Sequence, residues 1–147
     1  MELRRIVGRI IPLRRLIMYF DIKELDRDER IITIYQPLVK GKTAAAMRYA
    51  IKNYEETGRL FAYVREFKAD IVHFYSLTEF WTQRELCYKG RKFYLDGTIC
   101  GRAFSFCEAS GMRHIDFGVI VIDECPIKDI RYVIDCFPRS KIIVIVR

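Results

Sequence analysis

The sequence has 147 residues, 51% hydrophobic and 31% charged, a balance that fits one globular domain with a substantial core and excludes a low-complexity chain. No apolar run approaches the ~20 residues of a membrane span, so integral membrane association is not expected. Five cysteines with no two closer than seven positions, beside only two histidines, argue against a zinc site and read as free thiols of a cytosolic protein.

The net charge of +7 is concentrated at the start. In "MELRRIVGRIIPLRRLIMYF", residues 1–20, five arginines oppose one glutamate. Arginine pairs interleaved with Ile, Leu and Val make this a basic amphipathic segment, distinct from a single domain over 21–147. It suits contact with nucleic acid or an anionic membrane surface. It equally suits a first helix that packs its apolar face on the domain, interrupted near Pro12. The arginines recur through the apolar part, which is not the layout of a cleavable signal.

Ile31–Tyr35 is a short β-branched run, expected as a strand buried on both faces. Thr43–Glu56 reads as a helix with Ala44, Met47, Ile51 and Tyr54 on one stripe and Gly58 as its C-terminal cap. Arg59–Arg65, "RLFAYVR", is a second strand. Ser76–Leu86 is a helix candidate capped by Ser76. "RKFYLDGTICGRAF" holds two alternating runs joined by Asp96-Gly97, a strong hairpin signal. "FGVIVIDE" is a buried strand ending in two carboxylates, Ile127–Phe137 suits a helix, and "SKIIVIVR" closes with another buried strand.

Strand, Gly-Lys-Thr, helix, and then an apolar strand ending in Asp-Glu is the order of a P-loop NTPase core. The full phosphate-loop pattern is G-x-x-x-x-G-K-[ST]. Gly41, Lys42 and Thr43 supply its second half, while its opening glycine is Gln36. In that reading Gly41 lets the backbone wrap around phosphate oxygens, and the helix start adds favourable potential for the anion. Lys42 neutralises the terminal phosphates and Thr43 ligates magnesium. Asp123 holds the same metal through water, and Glu124 polarises the attacking water. ATP and Mg2+ are the expected cofactors. The expected fold is α/β, an ASCE-type P-loop core with a mostly parallel sheet flanked by helices and an inserted β-hairpin.

Three further stretches, "GRLFAYVREFKADI", "RELCYKGRKFYLDGTICGRAF" and "FGVIVIDECPIKD", resemble the DNA encapsidation ATPase family of small podoviruses, a branch of the terminase-like packaging motors. The family pattern runs F-x-Y-V-R-R, then a K-G-[RK]-[RK]-F-Y-[IL]-D-G hairpin, a G-x-A-[IF] strand and an apolar strand ending D-E. The resemblance covers about Ile31 to Asp129. It implies an ATPase that translocates double-stranded DNA into a capsid, working as a homo-oligomeric ring with capsid portal or packaging-associated components. It places the protein in the host cytoplasm and transiently at the capsid. Lys42 and Thr43 fall on the family's phosphate and magnesium residues, Asp123 on its metal-holding aspartate, Glu124 on its catalytic glutamate and Arg65 on an arginine of the post-strand motif.

The departures are local. Family loops read G-x-R-G-x-G-K-[ST]; this one reads Q-P-L-V-K-G-K-T, so Gln36, Leu38 and Val39 replace two glycines and an arginine. Pro37 removes an amide, and Lys40 restores some charge. The second arginine after the strand is Glu66. Arg102 and Arg113 are the candidates for the family's trans-acting basic residue, with Arg113 taken as catalytic. The nuclease-like second domain that the family implies has no counterpart before Arg147.

"YKGRKFY" interleaves Lys89, Arg91 and Lys92 with aromatics, a composition that suits contact with a DNA backbone. It equally suits a hairpin with its aromatics inward and its charges in water. A P-loop fold without hydrolysis, serving as a nucleic-acid-binding or virion structural module, is the alternative function. A peripheral membrane protein using the basic N-terminus is a third. His73 and His114 pair with no nucleophile in the sequence.

Overall fold

The runs richest in β-branched and aromatic residues become the central strands β2 (Ile31–Ile34), β4 (Phe61–Arg65), β8 (Val119–Asp123) and β9 (Lys141–Ile145). They belong to a computed structural model that describes residues 18–19, 22–35, 39–66, 86–123 and 125–146. With β5 (Leu86–Lys89), β6 (Lys92–Leu95) and β7 (Thr98–Ser105) they form a seven-stranded sheet in the order β2-β9-β8-β4-β7-β6-β5. The first five strands of that order run parallel, and β6 and β5 extend the sheet antiparallel. The fold is therefore mixed α/β with a mostly parallel sheet.

The side chains of the central strands alternate between two cores. Phe61, Tyr63, Val119, Val121, Ile143 and Ile145 face helix α1 (Lys42–Thr57). Ala62, Val64, Ile120, Ile122, Ile142 and Val144 face helix α2 (Ile127–Cys136) and the 3₁₀ turn Phe106–Met112. Burial on both faces explains why β8 is apolar at every position until Asp123. Three successive alanines, Ala44, Ala45 and Ala46, let the start of α1 sit close on the sheet, and residues 42–47 are all buried. Gly58 ends α1 in the left-handed region, φ 75°, donating its N–H to the Tyr54 carbonyl at 2.7 Å, as its position in the sequence implies.

Two expectations are corrected and a third is extended. β2 is not buried on both faces. It is the edge strand, so Ile32 and Ile34 are buried under α1 while Ile31 and Thr33 are exposed. Leu86 does not end a helix; it opens β5, paired with Leu95, while the rest of the expected helix, residues 76–85, lies outside the described residues. The hairpin has three strands. Asp96-Gly97 turns β6 into β7 with φ of 50° and 88°, and Gly90-Arg91 turns β5 into β6 with φ of 58° and 61°. Both are left-handed two-residue turns that match strand twist.

The basic N-terminal segment lies outside the described residues except Met18–Tyr19, which form β1 and pair in parallel with β3 (Val39–Lys40). Downstream, Lys141 anchors the 3₁₀ turn Ile22–Asp26 to the sheet: its ammonium donates to the carbonyls of Leu25 and Arg27 at 2.5 and 2.6 Å and to the Tyr49 hydroxyl at 3.0 Å. The five cysteines are free. Among the described residues no helix is long and apolar enough to cross a membrane.

Candidate functional site at the end of the central strands

The carboxyl ends of β4 and β8 meet the start of α1. The two strands pair with Tyr63 opposite Val121, so Asp123 lies one side-chain period further along on the same face. The long phenol of Tyr63 bridges that step: its hydroxyl donates to Oδ2 of Asp123 at 2.8 Å. The Thr43 hydroxyl, in the first turn of α1, donates to the same oxygen at 3.2 Å across 80 positions of sequence. Arg65, next on the same face of β4, donates from a guanidinium nitrogen to the Tyr63 hydroxyl at 3.5 Å. Tyr63 and Asp123 are fully buried, and Lys42 and Thr43 are 9% exposed.

Burial first, and then the Asp123 carboxylate, push the Tyr63 phenol far above the ordinary tyrosine range. The phenol therefore keeps its proton and is the donor of the pair. Cys125, just past the strand, is pushed up to about 12, mainly by burial and then by the negative charges of Asp129, Asp123 and Glu66.

Gly41 precedes α1 with φ 77° and ψ 17°, a conformation that glycine adopts without strain, and no side chain caps the helix. A helix start of this kind favours anions. A hydroxyl and a carboxylate converging beside it are hard oxygen donors of the sort magnesium takes, so Thr43 and Asp123 fit such an ion. A cleft of about 320 Å³ lies on the α2 side, lined by Glu66, Cys125, Pro126, Ile127, Ile130, Ile145 and Val146. Lys42 and Thr43 do not border it.

The structure thus gathers Gly41, Lys42, Thr43 and Asp123 at one end of the sheet. Gln36 and Glu124 lie outside the described residues, and Lys40 is placed only as the second residue of β3. No hydrogen bond or ion pair joins Arg113 to Asp123 among the described residues. Arg113 is exposed, on the segment that returns to the opposite end of β8 after the 3₁₀ turn. Lys89, Arg91 and Lys92 lie at the β5–β6 turn, where the Arg91 guanidinium is ion-paired with Glu108. Sequence reasoning missed Tyr63. Its signal was a tyrosine inside an otherwise apolar buried strand, where the hydroxyl must find a partner.

Comparison with known proteins finds the same fold and a family. The chain superposes on the N-terminal domain of the DNA packaging ATPase from bacteriophage phi29 with a TM-score of 0.64 at 22% identity, covering 87% of this chain and 78% of that one. It superposes on a chain of the phi29 viral genome packaging motor assembly with a TM-score of 0.62, again at 22% identity, covering 88% of this chain and 46% of that one. The DNA packaging proteins of Bacillus phages PZA and phi29 are each 34% identical over 67 residues, 43% of this chain. The match spans 20% of the length of those relatives. The Podovirus DNA encapsidation protein (Gp16) profile matches residues 15–133, and the chain belongs to that family.

Proposed function

We propose that this chain is the ATPase domain of a viral DNA-packaging motor, coupling ATP hydrolysis to movement of double-stranded DNA into a capsid. The observation that carries the reading is the contact of Thr43 with Asp123, which joins the start of α1 to the end of β8. Supporting it, β9 lies between β2 and β8, so a strand separates the loop strand from the acidic strand as in ASCE-type P-loop cores. The relatives, DNA packaging proteins and a packaging ATPase, supply the process.

In this reading Gly41 and the start of α1 receive the phosphates, and Lys42 balances their terminal charge. Thr43 and Asp123 hold Mg2+, which when bound supplies charge stabilisation for phosphoryl transfer. Glu124 orients and deprotonates the attacking water. Arg113, not joined to Asp123 in its own chain, acts on a neighbouring subunit of a homo-oligomeric ring. The β5–β6 hairpin contacts DNA, and the ring works in the host cytoplasm while docked on the capsid.

A second reading, a P-loop-fold module without hydrolysis, is favoured by Gln36 in place of the first glycine and by the pairing of Val39–Lys40 with β1 inside the loop. Calorimetric ATP titration with magnesium separates the two. The wild type is expected to bind ATP and Lys42→Ala to lose binding, with hydrolysis stimulated by duplex DNA. A wild type without measurable affinity supports the silent module, and unchanged affinity in Lys42→Ala removes Lys42 from the site.

A further inference from the structure

Three cations stand in register on three neighbouring strands. Lys89 of β5 pairs with Lys92 of β6, and Lys92 pairs with Arg102 of β7. Directly opposed residues of adjacent strands project to the same face of a sheet, so the three charges form one row. That face is the α2 side: Arg102 is opposite Ala62, which belongs to the α2-side core. Opposed like charges work against sheet formation. The Nε of Arg102 is buried and has no hydrogen-bond partner among the described residues. Lys89 is exposed, and Lys92 and Arg102 are half-buried.

Arg91 belongs to a different arrangement. Its backbone is left-handed, φ 61°, and its carbonyl accepts from the Ala103 N–H at 3.0 Å. Its guanidinium is ion-paired with Glu108, whose other carboxylate oxygen accepts from the N–H and the hydroxyl of Ser105, each at 3.0 Å. Arg91 therefore ties the hairpin tip to the 3₁₀ turn that follows β7, and its charge is already matched.

We infer that Lys89, Lys92 and Arg102, and not Arg91, form a binding row for the phosphodiester backbone of duplex DNA. The inference rests on the DNA-partner half of the proposed function and is independent of its nucleotide half. Strands about 4.8 Å apart make the row about 10 Å long. Duplex DNA presents a charge every ~1.7 Å of its axis, so the row meets several phosphates without reading a base. Contact of that kind is indifferent to sequence and sensitive to salt.

The test is the salt dependence of binding to a random-sequence fluorescent duplex, read by anisotropy, with circular dichroism confirming the fold of each variant. Each phosphate contact contributes about 0.9 to the slope of log affinity against log salt, so Lys89→Ala/Lys92→Ala should lower the slope by about 1.8. Arg102→Gln should lower it by about 0.9, and Arg91→Ala should leave it unchanged. The surface double variant carries the test if Arg102→Gln does not fold. A wild-type slope in the double variant overturns the row. An equal loss in Arg91→Ala, or a wild type that binds anionic vesicles and not the duplex, also overturns it. ATP titration of the same samples scores the nucleotide reading separately: a chain that binds no ATP but shows the row-dependent slope keeps the row.

Discussion

The Tyr63 hydroxyl and Oδ2 of Asp123 are 2.8 Å apart, and both residues are fully buried. A buried carboxylate must be matched by donors, and here one oxygen takes two, from Tyr63 and Thr43. The two donors are not equivalent. Thr43 sits at the helix start, where in the proposed function it turns to the metal. Tyr63 comes from the neighbouring strand and remains to hold the carboxylate in its rotamer.

Tyr63→Phe isolates that hydroxyl with little change of shape. Loss of a hydrogen bond to a buried charged group should cost roughly 1.5–3 kcal/mol in urea unfolding. A merely structural role would end there. A positioning role also raises the magnesium concentration needed for half-maximal ATP binding, with binding at saturating magnesium preserved. An unchanged magnesium dependence would falsify the positioning role.

The two carboxylates at the end of β8 should separate cleanly. Asp123→Asn is expected to weaken magnesium-dependent ATP binding, because a neutral amide is a poor ligand for the metal. Glu124→Gln is expected to leave binding intact and slow turnover by roughly 10²-fold or more, the usual range for a general base. Equal loss of binding in both variants would point to a folding defect and reverse the role assignment.

How much of this was legible beforehand follows from where the information lies. Gly58 as a cap, Asp96-Gly97 as a turn and Phe117–Asp123 as a buried run are local facts, and the structure has them at those places. The exposure of Ile31 and Thr33 is not local. It depends on β2 being the sheet edge, which strand composition does not reveal. Leu86 as a strand residue depends on its pairing with Leu95. In the site, the spacing of Thr43 and Asp123 suggested a meeting that the structure shows as a hydrogen bond. Tyr63 stayed hidden because its role comes from the β4–β8 register. Arg91 looked like one more surface cation because Glu108 is 17 positions away.

Gly101 of β7 lies opposite Phe61 of β4 on one side and Phe93 of β6 on the other. The two phenyl rings close over it, with centroids 5.1 Å apart and planes tilted by 41°. A methyl group at Gly101 would stand 2.6–2.7 Å from three atoms of the Phe61 ring. That ring is fully buried against Phe93, so it has no room to retreat. Gly101→Ala should therefore destabilise the fold by about 1–3 kcal/mol, the usual cost of overpacking. Phe61→Leu removes the obstructing ring atoms while leaving a cavity of its own. Combining it with Gly101→Ala should cost less than the sum of the two single changes, because the new methyl group then fills vacated space. Urea unfolding of the wild type, both single variants and the double variant measures the coupling. Strict additivity would show that the Phe61 ring is not what requires glycine at this position.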